Sequence, residues 1–189
     1  MNHGEKGLTS RLPDIDVERL DPQRREIVAI VAGERGRLPT PYRVWIQNPP
    51  LAEALHPLGQ LLARRITLSR REAELAILLA AHRCGSAYVL AVHAKESLAL
   101  GLPSRVVTAI SQGYPAELED PRLKAIADIL GALAADGIPP RKVFDTAVET
   151  LGHDGIAEVL ALVGYFTGVG LVMKLYDVPA PAQSATAAG

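Results

Sequence analysis

The chain has 189 residues, of which 48% are hydrophobic and only 4% aromatic, and this composition favours one globular domain built mainly of helices. Its formal net charge of -1 gives no electrostatic reason to expect nucleic acid or an anionic membrane as a partner. The single cysteine, Cys84, excludes an internal disulfide and favours a reducing compartment, so we predict a cytoplasmic protein.

The first third of the chain is punctuated by prolines. Residues 1–20 are polar and predict an N-terminal arm. Asp21-Pro22 is a helix cap followed by proline, and it predicts a helix to about residue 34. The proline-rich segment 38–50 predicts a loop or short helix, and a helix follows over 51–64, where Pro57 is expected to kink or split it.

The central stretch predicts a helix hairpin. Ser69-x-x-Glu72 is a capping box that begins one helix, which Gly85 ends near residue 84. Ser86 caps the next helix, which should run to about Leu100. The two predicted helices are therefore joined tightly at Gly85.

The remaining cap signals predict helices over 104–113, 120–137, 139–152 and 154–176. No strand-like alternation longer than a few residues occurs. We therefore predict a single all-α domain of about eight helices over residues 21–178, followed by a disordered tail at 179–189.

The last predicted helix is apolar enough to raise the question of a membrane span. It contains Glu158 and Lys174, and neither a second span nor an orienting basic loop accompanies it. A helix that is apolar on all sides is also typical of a buried central helix or an oligomer contact. Gly164, Gly168 and Gly170 would let another backbone approach closely, and we favour the buried helix over the membrane span.

Two titratable residues lie on the apolar hairpin. Glu74 shares a helix face with Ile77, Leu78 and Ala81, so it should be partly buried and should need a partner. His93, in the apolar segment VLAVHAKESLAL, is the natural candidate. A glutamate that orients an imidazole prepares a general base or proton shuttle, although a buried histidine satisfied by a glutamate is also a common structural device.

Other candidates lie on the second helix of the hairpin. Ser86 and Val89 share the face of His93, and Tyr88 points to a neighbouring face from which its hydroxyl can reach a pocket rim. The other histidines have no metal-ligand spacing, so we predict neither a metal nor another cofactor.

The segment from Glu74 to His93, with Tyr88 between them and Gly101-Leu102-Pro103 after them, resembles the central motif of the carboxymuconolactone decarboxylase family in the AhpD-like superfamily. In order along the chain, that motif contains E-L-x-I-L, R-x-G, Y-E-W, H and G-L. The spacing from Glu74 to Tyr88 to His93 resembles that of the motif, with no gap needed to align them. The resemblance implies an all-α homo-oligomer (trimer, dimer or hexamer) with a pocket near the hairpin. It also implies that Glu74 and His93 handle protons.

The chain departs from the family pattern at two places. Ser86 and Val89 stand where the peroxidase branch has two cysteines, which excludes a CxxC mechanism. Val89 and Leu90 replace the Glu-Trp that follows the tyrosine in many decarboxylase-like members, so the pocket should be more apolar.

The resemblance therefore favours a cofactor-independent carboxy-lyase that acts on a small carboxylated lactone or related acid. His93 would be the acid/base, Glu74 its orienting partner and Tyr88 a hydrogen-bond donor to an enolate, while Arg43, Ser86 and Val89 would bind substrate. For Arg43, a salt bridge within its loop is an equally good interpretation. The alternatives are a thiol-dependent antioxidant protein, disfavoured by the missing cysteine pair, and a non-catalytic ligand-binding oligomer.

Overall fold

The structure is a computed structural model that describes residues 10–33, 36–135 and 137–181, and over these residues the chain is all-α, as predicted. A 3-10 turn at Val17–Arg19 comes first. The α-helices are α1 Pro22–Ala32, α2 Tyr42–Trp45, α3 Pro49–Arg64, α4 Arg70–Cys84, α5 Ala87–Ala99, α6 Ser104–Gln112, α7 Pro121–Ala134 and α8 Arg141–Leu175.

The caps begin the helices largely where the sequence predicts. The side chains of Asp21, Ser69, Ser86 and Asp120 each accept a hydrogen bond from a backbone N–H in the first turn of their helix. Gly85 ends α4 in the left-handed conformation, with φ 66° and ψ 35°, which a residue without a Cβ adopts at no steric cost. The α4–α5 hairpin therefore follows from local signals.

One predicted boundary differs from the structure. Helix α3 begins at Pro49 because Asn48 caps it, and Pro57 does not split it. Pro57 has no N–H to donate to the carbonyl of Glu53, four residues earlier in the helix. Both residues are exposed, so water can satisfy that carbonyl. The two helices predicted over 139–152 and 154–176 are present and are described together as α8, and the break predicted between them is a kink at Gly152, where φ is 72° and ψ is 170°.

Helix α4 is the centre of the fold. It packs against α5, α6, α7 and α8, and Leu75, Ala76, Leu78 and Ala81 are completely buried. The Arg122 guanidinium ties its first turn to the neighbouring helices, since Nε donates to Glu72 and Nη1 donates to the Thr150 carbonyl at 2.7 Å.

The described part of the N-terminal arm runs along the end of α8. The Arg11 N–H donates to the Tyr176 carbonyl at 2.9 Å. The parts of the predicted arm and tail at 1–9 and 182–189 lie outside the described residues. The predicted domain limits, residues 21 and 178, stay a prediction.

Helix α8 is the one described helix that is long and apolar enough to cross a membrane by length and composition. It packs against α3, α4, α5 and α7, and 33% of its most apolar 18-residue stretch is buried. This packing makes α8 a wall of the helical domain.

Candidate active site

Glu74 and His93 meet across the hairpin, as the sequence predicts. Oε2 of Glu74 on α4 lies 2.7 Å from Nδ1 of His93 on α5. The Glu74 side chain is 6% exposed and the His93 side chain 16% exposed, so the pair is largely removed from water. Because a buried carboxylate needs a partner, this hydrogen bond satisfies Glu74 and fixes the imidazole orientation.

The second ring nitrogen of His93 faces a different environment. With Nδ1 engaged by Glu74, Nε2 has no hydrogen-bond partner among the described residues. The Phe166 ring of α8 packs edge-on against the imidazole, with ring centres 4.9 Å apart and planes at 81°. His93 is thereby held by a carboxylate and an aromatic ring, while the residue still borders open space.

Two cavities meet at His93. The larger has a volume of about 650 Å³ and the smaller about 410 Å³. Glu74 lines the smaller cavity only. The residues that line both are Gly59, Ala63, Arg64, His93 and Phe166, so the imidazole lies at the junction of the cavities.

The larger cavity collects most of the aromatic side chains of the chain. Of five Tyr, two Phe and one Trp, it is lined by Tyr42, Trp45, Tyr88, Tyr165 and Phe166. Burial and the neighbouring Tyr165 raise the pKa of Tyr42. Burial also raises the pKa of Tyr165, partly offset by a hydrogen bond with Tyr42. Both phenols are therefore protonated at neutral pH and can act as hydrogen-bond donors.

Two of the predicted residues of α5 border the larger cavity with His93. They are Tyr88, which is half-buried, and Val89, which is buried. The Tyr88 hydroxyl lies 3.0 Å from Oγ1 of Thr40, a partner that the sequence analysis did not identify. This hydrogen bond holds the Tyr88 hydroxyl near the start of α2.

Ser86 and Arg43, the other two predicted substrate-binding residues, do not line either cavity. Ser86 is buried at the start of α5, where its hydroxyl accepts the Val89 N–H at 3.4 Å. The Arg43 guanidinium donates to the Pro13 carbonyl through Nη2 at 2.6 Å and pairs with Asp14 at 3.2 Å. Arg43 therefore connects the N-terminal arm to α2. This arrangement corresponds to the salt bridge that the sequence offered as the alternative to substrate binding.

Cys84 also lies away from the cavities. Its Sγ donates to the Ala81 carbonyl at 3.4 Å and packs against Gly170 of α8.

Several residues of the site were missed by the sequence analysis, among them Arg64, His56 and the aromatic residues of α2 and α8. Trp45, Tyr165 and Phe166 are among the few aromatic residues of this chain, and their rarity was a usable signal. Arg64 carried no such signal, because it stands beside Arg65 at the end of an amphipathic helix.

Comparison with solved structures identifies the fold. An uncharacterised peroxidase-related protein from Ralstonia eutropha, described as an alkylhydroperoxidase AhpD core, superposes with a TM-score of 0.71 and 18% identity, covering 92% of this chain and 93% of that one. A peroxidase-related protein from a Silicibacter species gives a TM-score of 0.67 at 15% identity, covering 93% and 94%. The debrominase Bmp8, in a cysteine-to-alanine form with bound 2,3,4-tribromopyrrole, gives 0.65 at 16% identity, covering 94% of each chain.

No protein-family model and no curated protein matches the sequence. At these identities, the structural neighbours define the fold and leave the reaction open. The chain therefore has the AhpD-like helical fold, a fold that includes catalytic members, as the sequence resemblance implies.

Proposed function

We propose that the protein is a cofactor-independent enzyme that transfers protons on a small organic acid, with a carboxylated lactone as the family-inspired substrate. The observation that carries this proposal is the 2.7 Å hydrogen bond between Glu74 and His93 at the junction of two cavities. A structural Glu–His pair needs no open space beside it, whereas an acid/base pair does.

The proposed reaction is loss of CO2 from an acid whose carboxylate is attached to the carbon next to a carbonyl group. The bond between the carboxylate and its carbon breaks, and its electron pair moves into the carbonyl to form an enolate. Imidazolium Nε2 of His93 then protonates that carbon, and solvent restores the proton. Glu74 stabilises the charged imidazolium, and Tyr88 can donate a hydrogen bond to the enolate oxygen.

The test is turnover of carboxylated lactones and 3-oxo acids in D2O, with CO2 release and deuterium incorporation followed by NMR. His93→Gln and Glu74→Gln should each lower turnover by about two to four orders of magnitude while the chain stays folded. His153→Gln and Glu96→Gln, on exposed positions of α8 and α5, are matched controls and should retain activity. Full turnover in His93→Gln would refute the proposal.

The thiol-dependent alternative has less support. A disulfide cycle needs a second thiol, and the chain has one cysteine, which lies against α8 rather than in a cavity. We expect Cys84→Ser to retain any carboxylate turnover and expect no peroxide consumption that depends on Cys84. Peroxide consumption by the wild-type protein that Cys84→Ser loses would favour the alternative.

A further inference from the structure

The charges around the two cavities are unevenly distributed. The larger cavity is lined by Arg64 and the histidines His56 and His93, without any carboxylate among its described lining residues. The smaller cavity adds Arg70 and Glu74, and Glu74 is already engaged by His93. Arg64 is the one arginine that borders both. The residues shared by the two cavities therefore include one cation, Arg64, and the His93 imidazole.

Arg64 has no hydrogen-bond or ion-pair partner within the described part of the chain, unlike Arg43 and Arg122, which donate to carbonyls and carboxylates. It is the last residue of α3, it is exposed, and it lines both cavities. A guanidinium offers a planar fork of donors that matches a carboxylate in a bidentate manner. Arg64 therefore has a guanidinium without a partner in the described part of the chain, and it lines both cavities.

The wall next to Arg64 is apolar and aromatic. Trp45 and Tyr165 pack edge-on with ring centres 5.9 Å apart, and Tyr165 and Phe166 do so at 5.3 Å. These rings continue directly to the His93 imidazole. Such a wall suits a ring or another compact apolar group.

We propose that Arg64 binds the substrate carboxylate at the junction and that the substrate is a small acid whose aromatic or apolar body occupies the larger cavity. This inference rests on the proposed function for the reaction that follows binding, but its own claim is where the carboxylate of the acid binds. It assigns to Arg64 the role that the sequence analysis gave to Arg43. A substrate held in this way lies against both Arg64 and His93, which both line the junction.

The competing interpretation is that Arg64 only complements the dipole at the end of α3. Arg65, the C-terminal cap of the same helix, provides the matched control because it shares that position and lines neither cavity. Loss of either cation would weaken the dipole interaction, whereas only loss of Arg64 should weaken the binding of an acid.

The test uses benzoate and cyclohexanecarboxylate as probes, with benzamide as the neutral counterpart of benzoate. Binding is followed by the fluorescence of Trp45, the single tryptophan, which lines the larger cavity. We expect the wild type to bind at least one of the two acids saturably and not to bind benzamide. The affinity for that acid should be about tenfold or more lower in Arg64→Gln and unchanged in Arg65→Gln. Arg64→Lys should recover part of the affinity, because the charge remains without the fork.

Equal affinity in Arg64→Gln and the wild type, or no saturable binding of either acid, would overturn the inference. His93→Ala separates it from the proposed function. We expect this variant to bind the probes through Arg64 even though it should have lost proton transfer. Binding that depends on Arg64, together with full turnover in His93→Gln, would refute the proposed function and leave the binding site standing.

Discussion

Gly59 of α3 lies directly against the phenol oxygen of Tyr165 on α8. A Cβ at Gly59 would be 2.6 Å from that oxygen, which is closer than a carbon atom can approach. Glycine inside a helix costs about 1 kcal/mol relative to alanine, so this contact explains why a glycine occupies the middle of α3. The two residues together set the separation of α3 and α8 beside the larger cavity.

We predict that Gly59→Ala destabilises the protein by about 1–3 kcal/mol, because the new methyl group displaces Tyr165. Introducing Tyr165→Phe should remove much of this penalty, since the nearest remaining ring atom would be 3.2 Å away. Gly131→Ala in α7 is the control, with open space around its Cβ, and should stabilise by about 0.5–1 kcal/mol. Urea unfolding measures each value, and stabilisation by Gly59→Ala would contradict the packing.

Acid stability should depend on Glu72. Burial raises the pKa of Glu72, but hydrogen bonds from Arg122 and from the backbone and side chain of Ser69 outweigh this effect, so the pKa lies below its usual 4.5. A carboxyl group with a lowered pKa stabilises the folded state above its unfolded pKa. This stabilisation is lost as the pH falls through the folded pKa.

We therefore predict that Glu72→Gln lowers the free energy of unfolding by about 1–3 kcal/mol at pH 7. The difference from the wild type should shrink steadily as the pH falls below about 4.5. The exposed Glu96→Gln is the matched control and should change stability little at any pH. Chemical unfolding across this pH range measures the effect, and a difference that does not change with pH would contradict it.

The contact between Cys84 and Gly170 gives a structural prediction for the thiol. A Cβ at Gly170 would overlap Sγ of Cys84 and approach the Ser86 Cβ to 3.1 Å. Gly170→Ala should therefore destabilise by about 1–3 kcal/mol, and Cys84→Ala in the same chain should recover part of it. Additive effects in thermal unfolding of the double variant would show that the two sites are independent.

The exposed face of α8 carries the prediction of a homo-oligomer. Leu160, Leu171 and Leu175 are 44%, 52% and 70% exposed and follow the spacing of one helix face, on which Gly164 also lies. We predict that Leu171→Glu lowers the oligomeric state in light scattering, whereas Leu98→Glu on α5 leaves it unchanged. A wild-type monomer would refute the prediction.

Much of the fold could be predicted from the sequence because local capping signals mark the ends of its helices. The capping box at Ser69 and the left-handed Gly85 define the hairpin without long-range information. Pro57 shows the limit, because whether a proline interrupts a helix depends on the exposure of the carbonyl it leaves unpaired. At Gly152, where the sequence predicts that one helix ends before the next begins, the chain does depart from helical angles.

Of the residues that line the cavities, the sequence predicted only those of the hairpin: Glu74, Tyr88, Val89 and His93. Glu74 and His93 share apolar helix faces, and burial obliges such residues to find partners. Arg64 and Thr40 come from outside the hairpin, and tertiary packing alone brings them to the cavity or to Tyr88. For Arg43 the sequence left substrate binding and a salt bridge open, and in the structure its guanidinium donates to the Pro13 carbonyl and to Asp14.

The central claim is that Glu74 holds His93 with Nδ1 engaged and Nε2 free for proton transfer. The most direct test is the ¹⁵N NMR spectrum of the His93 side chain at a pH where the ring is neutral. We predict the tautomer with the proton on Nδ1 in the wild type, and its loss in Glu74→Gln but not in Glu96→Gln. A wild-type His93 that carries its proton on Nε2 would contradict the account.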